Sequence, residues 1–320
     1  MAHQLSFNEL TGLAEMAYVG EVPWHGYGQS LAVDAPIETW AQAAHMEWSI
    51  LATPALFSPE GTDAAPVPGR QVLYRSDSHA PLSVVSDRYQ VVQPTAVLAF
   101  FRDLTEQMGF SLETAGVLQG GKRFWAMART GADAEVTDGD KVAPYLLLAT
   151  SCDGTMSTTA RMTTIRVVCA NTLAVSADHA SSQFTYVHSS AFDEKTCKRD
   201  LGLLHAQESF SAFIEKSRKL SAIKISFAQA EDIARRALLI GDPEKKHSGL
   251  DKVMSLFTGG AKGADMAGQT AWGLLNAVTE YVDHHGRNRT KESRQNAAWF
   301  GAGAEVKGRA EGIVSSLIAA

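Results

Sequence analysis

The sequence YLLLATSCDGTMSTTAR, from Tyr145 to Arg161, continues after Met162 as TTIRVVCANTL to Leu173 and decides the fold. An apolar run comes first, an Asp-Gly pair follows at 153–154, and threonine-rich segments come after it. Asp-Gly between two strand-forming runs is a strong signal for a tight turn that joins antiparallel strands. The stretch therefore predicts an antiparallel hairpin that leads into further strands.

The residues before this hairpin extend the same pattern. A helix is predicted over 95–108, where apolar residues recur at helical spacing. Strands are predicted over 111–118 and 123–129, because a Gly-Gly pair between them suits a tight turn. Residues 94–175 are therefore predicted to form one helix followed by an antiparallel meander of four or five strands.

The remaining segments carry weaker signals. Near the N-terminus, Asp34 predicts the start of a helix over 35–47, and the segment rich in proline and alanine at 61–69 predicts a loop. Short apolar runs at 71–74 and 82–85 predict a pair of strands.

The apolar period changes from two residues to about 3.6 from Asp193 onward, which indicates helices. Four helices are predicted there, over 193–220, 226–240, 270–284 and 304–317. The chain is thus predicted to be α+β, with an α+β core domain built on an antiparallel sheet over 1–190 and a helical C-terminal region over 191–320.

Composition narrows the classes of function. The 320 residues carry a net charge of −6, and the charge is distributed unevenly along the chain. Residues 1–200 hold 13 basic and 22 acidic side chains, and residues 201–320 hold 16 basic and 13 acidic side chains. Bulk charge does not favour nucleic acid, so only local basic patches can. No apolar run approaches the roughly 20 residues of a membrane span, and no secretory signal is visible. The three cysteines lack CxxC spacing, which predicts free thiols in a cytoplasmic protein of a bacterial host.

Several spaced segments carry a family resemblance. They are PWHG at 23–26, RVVCANTL at 166–173, WGLLNAVTEY at 272–281 and AWFG at 298–301. In this order they resemble the phage/plasmid-like protein family, whose common domain has no known function. The resemblance implies a gene carried by bacteriophages, plasmids or integrated elements, and it supplies no catalytic residues.

The order of predicted elements resembles a second class of proteins more weakly. A helix, an antiparallel meander and a helix after Asn171 look like the core of the single-strand annealing proteins of phage recombination and eukaryotic repair. Those proteins assemble into rings with DNA in a basic outer groove. The resemblance implies a homo-oligomer that binds single-stranded DNA, and it is a fold-level analogy.

Basic and aromatic residues of the predicted meander suit such a ligand. Arg123, Trp125 and Arg129 share the parity of one strand and therefore one face of it. We predict that four cations contact backbone phosphates, namely Lys122, Arg123, Arg161 and Arg166, and that Trp125 or Tyr145 stacks on a base. The alternative is that the arginines are ordinary exposed strand residues and that Trp125 belongs to the core.

A second basic patch follows the third C-terminal helix. It contains Arg287, Arg289, Lys291 and Arg294, four cations within eight residues. Guanidinium groups beside a helix end match phosphate oxygens well, which predicts a second phosphate contact. The alternative is a solvated loop that Trp299 and Phe300 anchor to the body of the protein.

Catalytic motifs are absent or incomplete. Residues 116–123 approach a P-loop, but Arg123 replaces the Ser or Thr that binds magnesium and a strand follows instead of a helix. Adjacent histidines such as His284 and His285 point about 100° apart on a helix, so they do not predict a metal site. His25 has no carboxylate or thiol at a spacing typical of metal ligands. We therefore predict no cofactor, no metal and no catalytic residue.

These observations together predict a single-stranded DNA-binding protein, with strand annealing as a further activity. Two alternatives stay open. One is a metal-dependent enzyme acting on nucleic acid or nucleotides, with His25, Asp283 and His284 among its ligands. The other is a mobile-element protein that binds a host defence factor through its helical C-terminal region.

Overall fold

The computed structural model describes residues 6–8, 11–20, 27–60, 63–166, 171–174, 183–186, 206–242, 246–286, 297–299 and 301–318. Its strands are β1 Met16–Val19, β2 Gln29–Leu31, β3 Ile50–Phe57, β4 Ala65–Arg75, β5 Pro81–Ser86, β6 Ser111–Leu118, β7 Arg123–Arg129, β8 Ala134–Glu135, β9 Lys141–Ser151, β10 Thr158–Arg166, β11 Asn171–Ala174 and β12 Gln183–Tyr186.

The helices within these ranges are α1 Ile37–Ala43, α2 Pro94–Met108, α3 Ala206–Ala222, α4 Phe227–Ala237, α5 Ser248–Ser255, α6 Ala264–Ala267, α7 Ala271–Glu280 and α8 Ala302–Ser316. Single π-helical turns extend α5 over Leu256–Gly260 and α7 over Tyr281–His285. The predicted α+β class with C-terminal helices is confirmed.

The predicted meander forms the centre of a nine-stranded sheet. Its main path runs β11-β10-β9-β7-β6-β1-β2, with β12 beside β10 and β8 beside β9. All pairs in the meander are antiparallel, whereas β1 and β2 run parallel. Positive φ angles at Gly120, Gly121 and Gly154 allow the tight connections that their sequences predict. Strands β1 and β2 were not predicted.

A separate antiparallel sheet contains β3, β4 and β5 in that order. The predicted strands over 71–74 and 82–85 are present, but the predicted loop over 61–69 is wrong from Ala65 onward, because β4 begins there. Pro66 and Pro68 are compatible with a strand at that point, since β4 pairs only with β3 there and the pairing with β5 starts at Arg70.

Both faces of the nine-stranded sheet are buried, which explains the continuous apolar sequence of β9. Alternate side chains of a strand point to opposite faces. Phe124 and Leu148 belong to the larger core, which also contains Phe100 of α2 and Trp272 of α7. Trp125 and Leu147 belong to a smaller core on the other face. One continuous core thus joins the sheet to the C-terminal helices.

The C-terminal helices agree largely with their predicted ranges. Helix α4 begins after Ser226, whose side chain forms a capping box with Gln229. Helix α7 with its π-turn matches the helix predicted over 270–284, and α8 matches that over 304–317. Of the helix predicted over 193–220, residues 193–205 lie outside the described ranges. Helices α5 and α6 were not predicted, because they are short.

Candidate nucleic-acid interface

One face of the nine-stranded sheet brings together cations from different strands. In register, Met127 of β7 lies opposite Leu147 of β9, and Leu147 lies opposite Arg161 of β10. Residues directly opposite each other in antiparallel strands point to the same face. Arg161 therefore shares a face with Arg123 and Trp125, which have the parity of Met127. We call this face, defined by Arg123, Trp125 and Arg161, the cationic face.

Both aromatic residues that were predicted to stack on bases are buried on the cationic face. Trp125 is 1 % exposed, and its ring packs edge-on against Trp299 with ring centroids 4.9 Å apart. Tyr145 is 6 % exposed and donates a hydrogen bond of 2.6 Å to Glu113. Burial raises the pKa of Tyr145 above its ordinary value. Contrary to the prediction, neither ring is open to a base, and Trp125 belongs to the core.

Trp299 is the aromatic residue that sequence reasoning missed as a candidate. It follows the basic segment, and its place in the sequence predicts only an anchor for the chain. In the structure its side chain is partly exposed and covers Trp125 on the cationic face. A partly exposed ring beside cations is what a stacked base requires.

Lys122 and Arg123 lie at one end of the sheet, at the turn between β6 and β7. Both are partly exposed. Arg123 donates a hydrogen bond of 2.9 Å to Thr155 in the turn between β9 and β10. The two turns therefore lie side by side at this end of the sheet, where Arg123 ends the cationic face.

Arg161 lines a cavity of about 70 Å³ between the sheet and helix α8. The walls include Thr163 of β10, Trp299, and Lys307 and Glu311 of α8. Arg161 donates a hydrogen bond to the carbonyl of Trp299. Burial lowers the pKa of Arg161 to about 10, so the guanidinium stays charged at neutral pH.

Lys307 contributes a second cation to this cavity. Its ammonium lies 2.8 Å from Asp283, and both side chains are at most 7 % exposed. Burial lowers the pKa of Lys307, the ion pair with Asp283 opposes this shift, and the charge of Arg161 adds to it. Glu311 is held 2.7 Å from Lys216 of α3. The pocket thus combines two cations from distant parts of the sequence.

Arg166 lies on the opposite face, contrary to the prediction that it contacts phosphate. It is 2 % exposed, and its Nε lies 2.6 Å from Asp140. Its terminal nitrogens donate hydrogen bonds to the carbonyls of Lys262 and Gly263, at 3.0 and 2.9 Å. Trp272 donates to the second oxygen of Asp140 at 2.9 Å. Arg166 therefore joins the sheet to the C-terminal helices and is too buried to contact a phosphate.

The other predicted site residues divide into two sets. Those outside the described residues are Arg287, Arg289, Lys291 and Arg294 of the second basic patch, and His25. His284 lies in the π-turn after α7, beside the ion-paired Asp283. Within the described ranges, no group of three or more histidine, cysteine, aspartate or glutamate side chains is placed to hold a metal ion.

A family model matches residues 81–299, from β5 to Trp299. The chain belongs to the DUF932 family. The description of this family is a domain of unknown function. The matched region of the DUF932 protein contains Arg123, Arg161 and Trp299 of the cationic face, and it ends before α8. No curated protein and no solved structure matches the chain.

None of the helices in the described part of the DUF932 protein is long and apolar enough to cross a membrane.

Proposed function

We propose that this DUF932 chain binds single-stranded DNA through the partly exposed residues of the cationic face, Arg123 and Arg161, and through Trp299, which covers part of it. We further propose that it acts as a homo-oligomeric, strand-annealing protein of phages, plasmids or related elements. The observation that carries the proposal is that Arg123 and Arg161 share one face of the sheet with the partly exposed Trp299. The mobile-element setting, the annealing activity and the homo-oligomer follow from the sequence resemblances.

The spacing of the cations suits an extended ligand. Arg123 lies opposite Ser151, and Arg161 lies opposite Leu147 on the same strand. The two positions are four residues apart on β9, roughly 13 Å at the rise of a strand. Arg123 is held by Thr155 and Arg161 by the carbonyl of Trp299, so a ligand that contacts both in these positions carries several phosphates along one line.

A single strand fits this surface better than a duplex does. Single-stranded nucleic acid is bound by a positively charged groove with aromatic rings on which bases stack, each stack contributing about 1–3 kcal/mol. Trp299 supplies one such ring, and Lys122 and Arg123 continue the positive charge to the edge of the sheet. The bases of a duplex are already stacked and cannot use Trp299 without unpairing.

Replacing Arg123 by Gln is expected to weaken binding of a fluorescent single-stranded oligonucleotide and to flatten the dependence of log K on log salt by about 0.7, the value for one lost phosphate contact. Fluorescence anisotropy over a range of salt concentrations measures both quantities.

Arg129→Gln is the matched control. Arg129 lies on the same strand and face, and it forms ion pairs with Glu113 at 3.5 Å and with Asp133. We expect this variant to bind nearly as tightly as the wild-type chain. Equal losses in the two variants would show only a bulk charge effect and would remove Arg123 from the proposed interface.

The homo-oligomer is tested separately by light scattering of the purified chain with and without the oligonucleotide. A strictly monomeric chain under both conditions would contradict this part of the proposal and leave DNA binding open to its own test.

A further inference from the structure

The three-stranded sheet has an outer face that is apolar and open to solvent. Leu73 of β4 points into the larger core, so its neighbours along the strand, Val72 and Tyr74, point the other way. Val84 of β5 lies opposite Val72, and Leu51 of β3 lies opposite Tyr74. Leu51 and Val84 are exposed, and Val72 and Tyr74 are partly exposed. The solvent face of an antiparallel sheet is normally polar. We call the face defined by Leu51, Val72, Tyr74 and Val84 the outer face.

Beside the outer face, the end of β3 and the start of β4 continue as a two-stranded arm. Leu56 pairs with Pro66 and Phe57 with Ala65, whereas the pairing with β5 starts only at Arg70. A two-stranded ribbon is at best marginally stable by itself in water, and both Leu56 and Phe57 are more than half exposed. The outer face and the arm hold four of the ten most exposed large apolar side chains among the described residues, namely Leu51, Leu56, Phe57 and Val84. An apolar surface of this kind marks an interaction site.

The charge of this surface favours a second copy of the chain as the partner. The charged residues of β3, β4 and β5 are Arg70 and Arg75, and Arg75 is buried in its ion pairs with Glu15 and Asp77. A ligand recognised by its charge, such as a nucleic acid or a basic peptide, would find only Arg70 there. Copies of a chain with a net charge of −6 repel each other, and this repulsion is weakest where the facing strands carry no acidic group. An apolar face is also complementary to itself, as a two-fold contact requires.

Prolines in the same strands favour contact through the face over contact through a strand edge. Pro54 of β3 and both Pro66 and Pro68 of β4 cannot donate a backbone hydrogen bond to an added strand. Two copies would therefore pack sheet on sheet, about 10 Å apart.

The size of the surface sets the strength of the contact. The eleven residues of β4 span about 36 Å and three strands about 14 Å, so each copy contributes at most roughly 500 Å². The total of roughly 1,000 Å² lies at the lower limit of a specific interface. This area predicts a dimer that dissociates on dilution.

We propose that the outer face and the arm form a two-fold dimer interface with the same surface of a second copy of this chain. The inference rests on the homo-oligomer of the proposed function and gives it a contact surface. A two-fold contact closes at two copies, so larger assemblies would be built from dimers. The proposed DNA contacts lie on the nine-stranded sheet, so dimerisation and DNA binding can be tested independently.

The test is the mass of the purified chain by light scattering, from about 1 to 100 μM, the range in which an interface of this size should form. We expect the mass to rise with concentration towards that of two chains. Val84→Asp should raise the dissociation constant of the dimer at least about a hundredfold, because the two-fold contact would bury the unpaired carboxylate twice. Val84→Thr keeps a β-branched residue in the strand and should weaken the dimer less.

Val33→Asp is the matched control. Val33 lies in the turn after β2 and is 66 % exposed, against 61 % for Val84. We expect this variant to dimerise as the wild-type chain does. A melting curve of each variant confirms that it is folded.

Two results would overturn the inference. One is a chain that stays monomeric over the whole range, which would leave the outer face to a different partner. The other is a dimer that Val84→Asp disturbs no more than Val33→Asp does.

Binding of the single-stranded oligonucleotide to the same chains separates this inference from the proposed function. If Val84→Asp alone abolishes the dimer and none of the chains binds DNA, the dimer interface stands and the DNA-binding function fails. If the wild-type chain binds DNA and remains a monomer, DNA binding stands and the dimer interface fails.

Discussion

Replacing Arg166 by Met is expected to lower the free energy of unfolding by about 3–5 kcal/mol. The substitution leaves the carboxylate of Asp140 buried, at 0 % exposure, without the guanidinium that lies 2.6 Å from it. The carbonyls of Lys262 and Gly263 also lose their donors. Urea unfolding followed by tryptophan fluorescence measures the change.

Two further variants test the reason for this loss. Arg129→Met breaks an ion pair that is only partly buried, so we expect it to cost less than about 1 kcal/mol. The double variant Asp140→Asn with Arg166→Met removes both charges and keeps an acceptor for Trp272. We expect it to recover part of the stability. A loss for Arg166→Met no larger than that for Arg129→Met would contradict the assigned role of Arg166.

The second large effect is expected at Arg75, where Arg75→Met should also cost about 3–5 kcal/mol. Arg75 bridges Glu15 at 2.8 Å and Asp77 at 2.7 Å, and its guanidinium lies 4.1 Å from the ring centre of Trp48. Glu15 is 1 % exposed, so the variant leaves a buried carboxylate without its cation. The ion pair joins the three-stranded sheet to the residue before β1.

Control substitutions at two nearby positions make this prediction specific. Arg70→Met alters an exposed arginine of the same strand, and we expect a change within about 0.5 kcal/mol. Glu15→Gln keeps a hydrogen-bond acceptor for Arg75, which also retains Asp77, so its cost should be clearly smaller than that of Arg75→Met. Equal unfolding free energies for Arg75→Met and Arg70→Met would rule out a structural role for the cluster.

Gly121 allows the same cluster to form. A β-carbon at this position would lie 2.9 Å from the ring of Trp48 and 3.2 Å from the side chain of Arg75. Its φ of +104° is also rarely adopted by residues with a side chain. The Gly-Gly pair was predicted from turn chemistry alone, and the packing of Trp48 gives it a second reason.

Local patterns were sufficient to predict the meander. Period-two alternation, the Asp-Gly turn and the Gly-Gly turn are properties of a few adjacent residues, and each predicts a strand or a connection between strands. The parity shared by Arg123 and Arg129 is confirmed by the register of β7 and β9. Parity also separates Arg161 from Arg166, because five positions along a strand is an odd number. The sequence therefore already indicates that Arg161 and Arg166 point to opposite faces.

Burial of a strand face could not be predicted in the same way. Parity says which side of the sheet Trp125 points to, and it does not say what covers that side. Trp299, far along the sequence, covers Trp125. The pocket that Arg161 forms with Lys307 depends likewise on where α8 packs, and no local pattern contains that information.

The decisive test of the proposed function is binding of the purified chain to a fluorescent single-stranded oligonucleotide, beside duplex DNA and RNA of the same sequence. We predict selective binding of single-stranded DNA at low salt. Lys122, Arg123 and Arg161 should contact three phosphates. Each contact contributes about −0.7 to the slope of log K against log salt, so we expect a slope of about −2 or steeper. No binding at low salt, or equal affinity for the duplex, would rule out the proposed function.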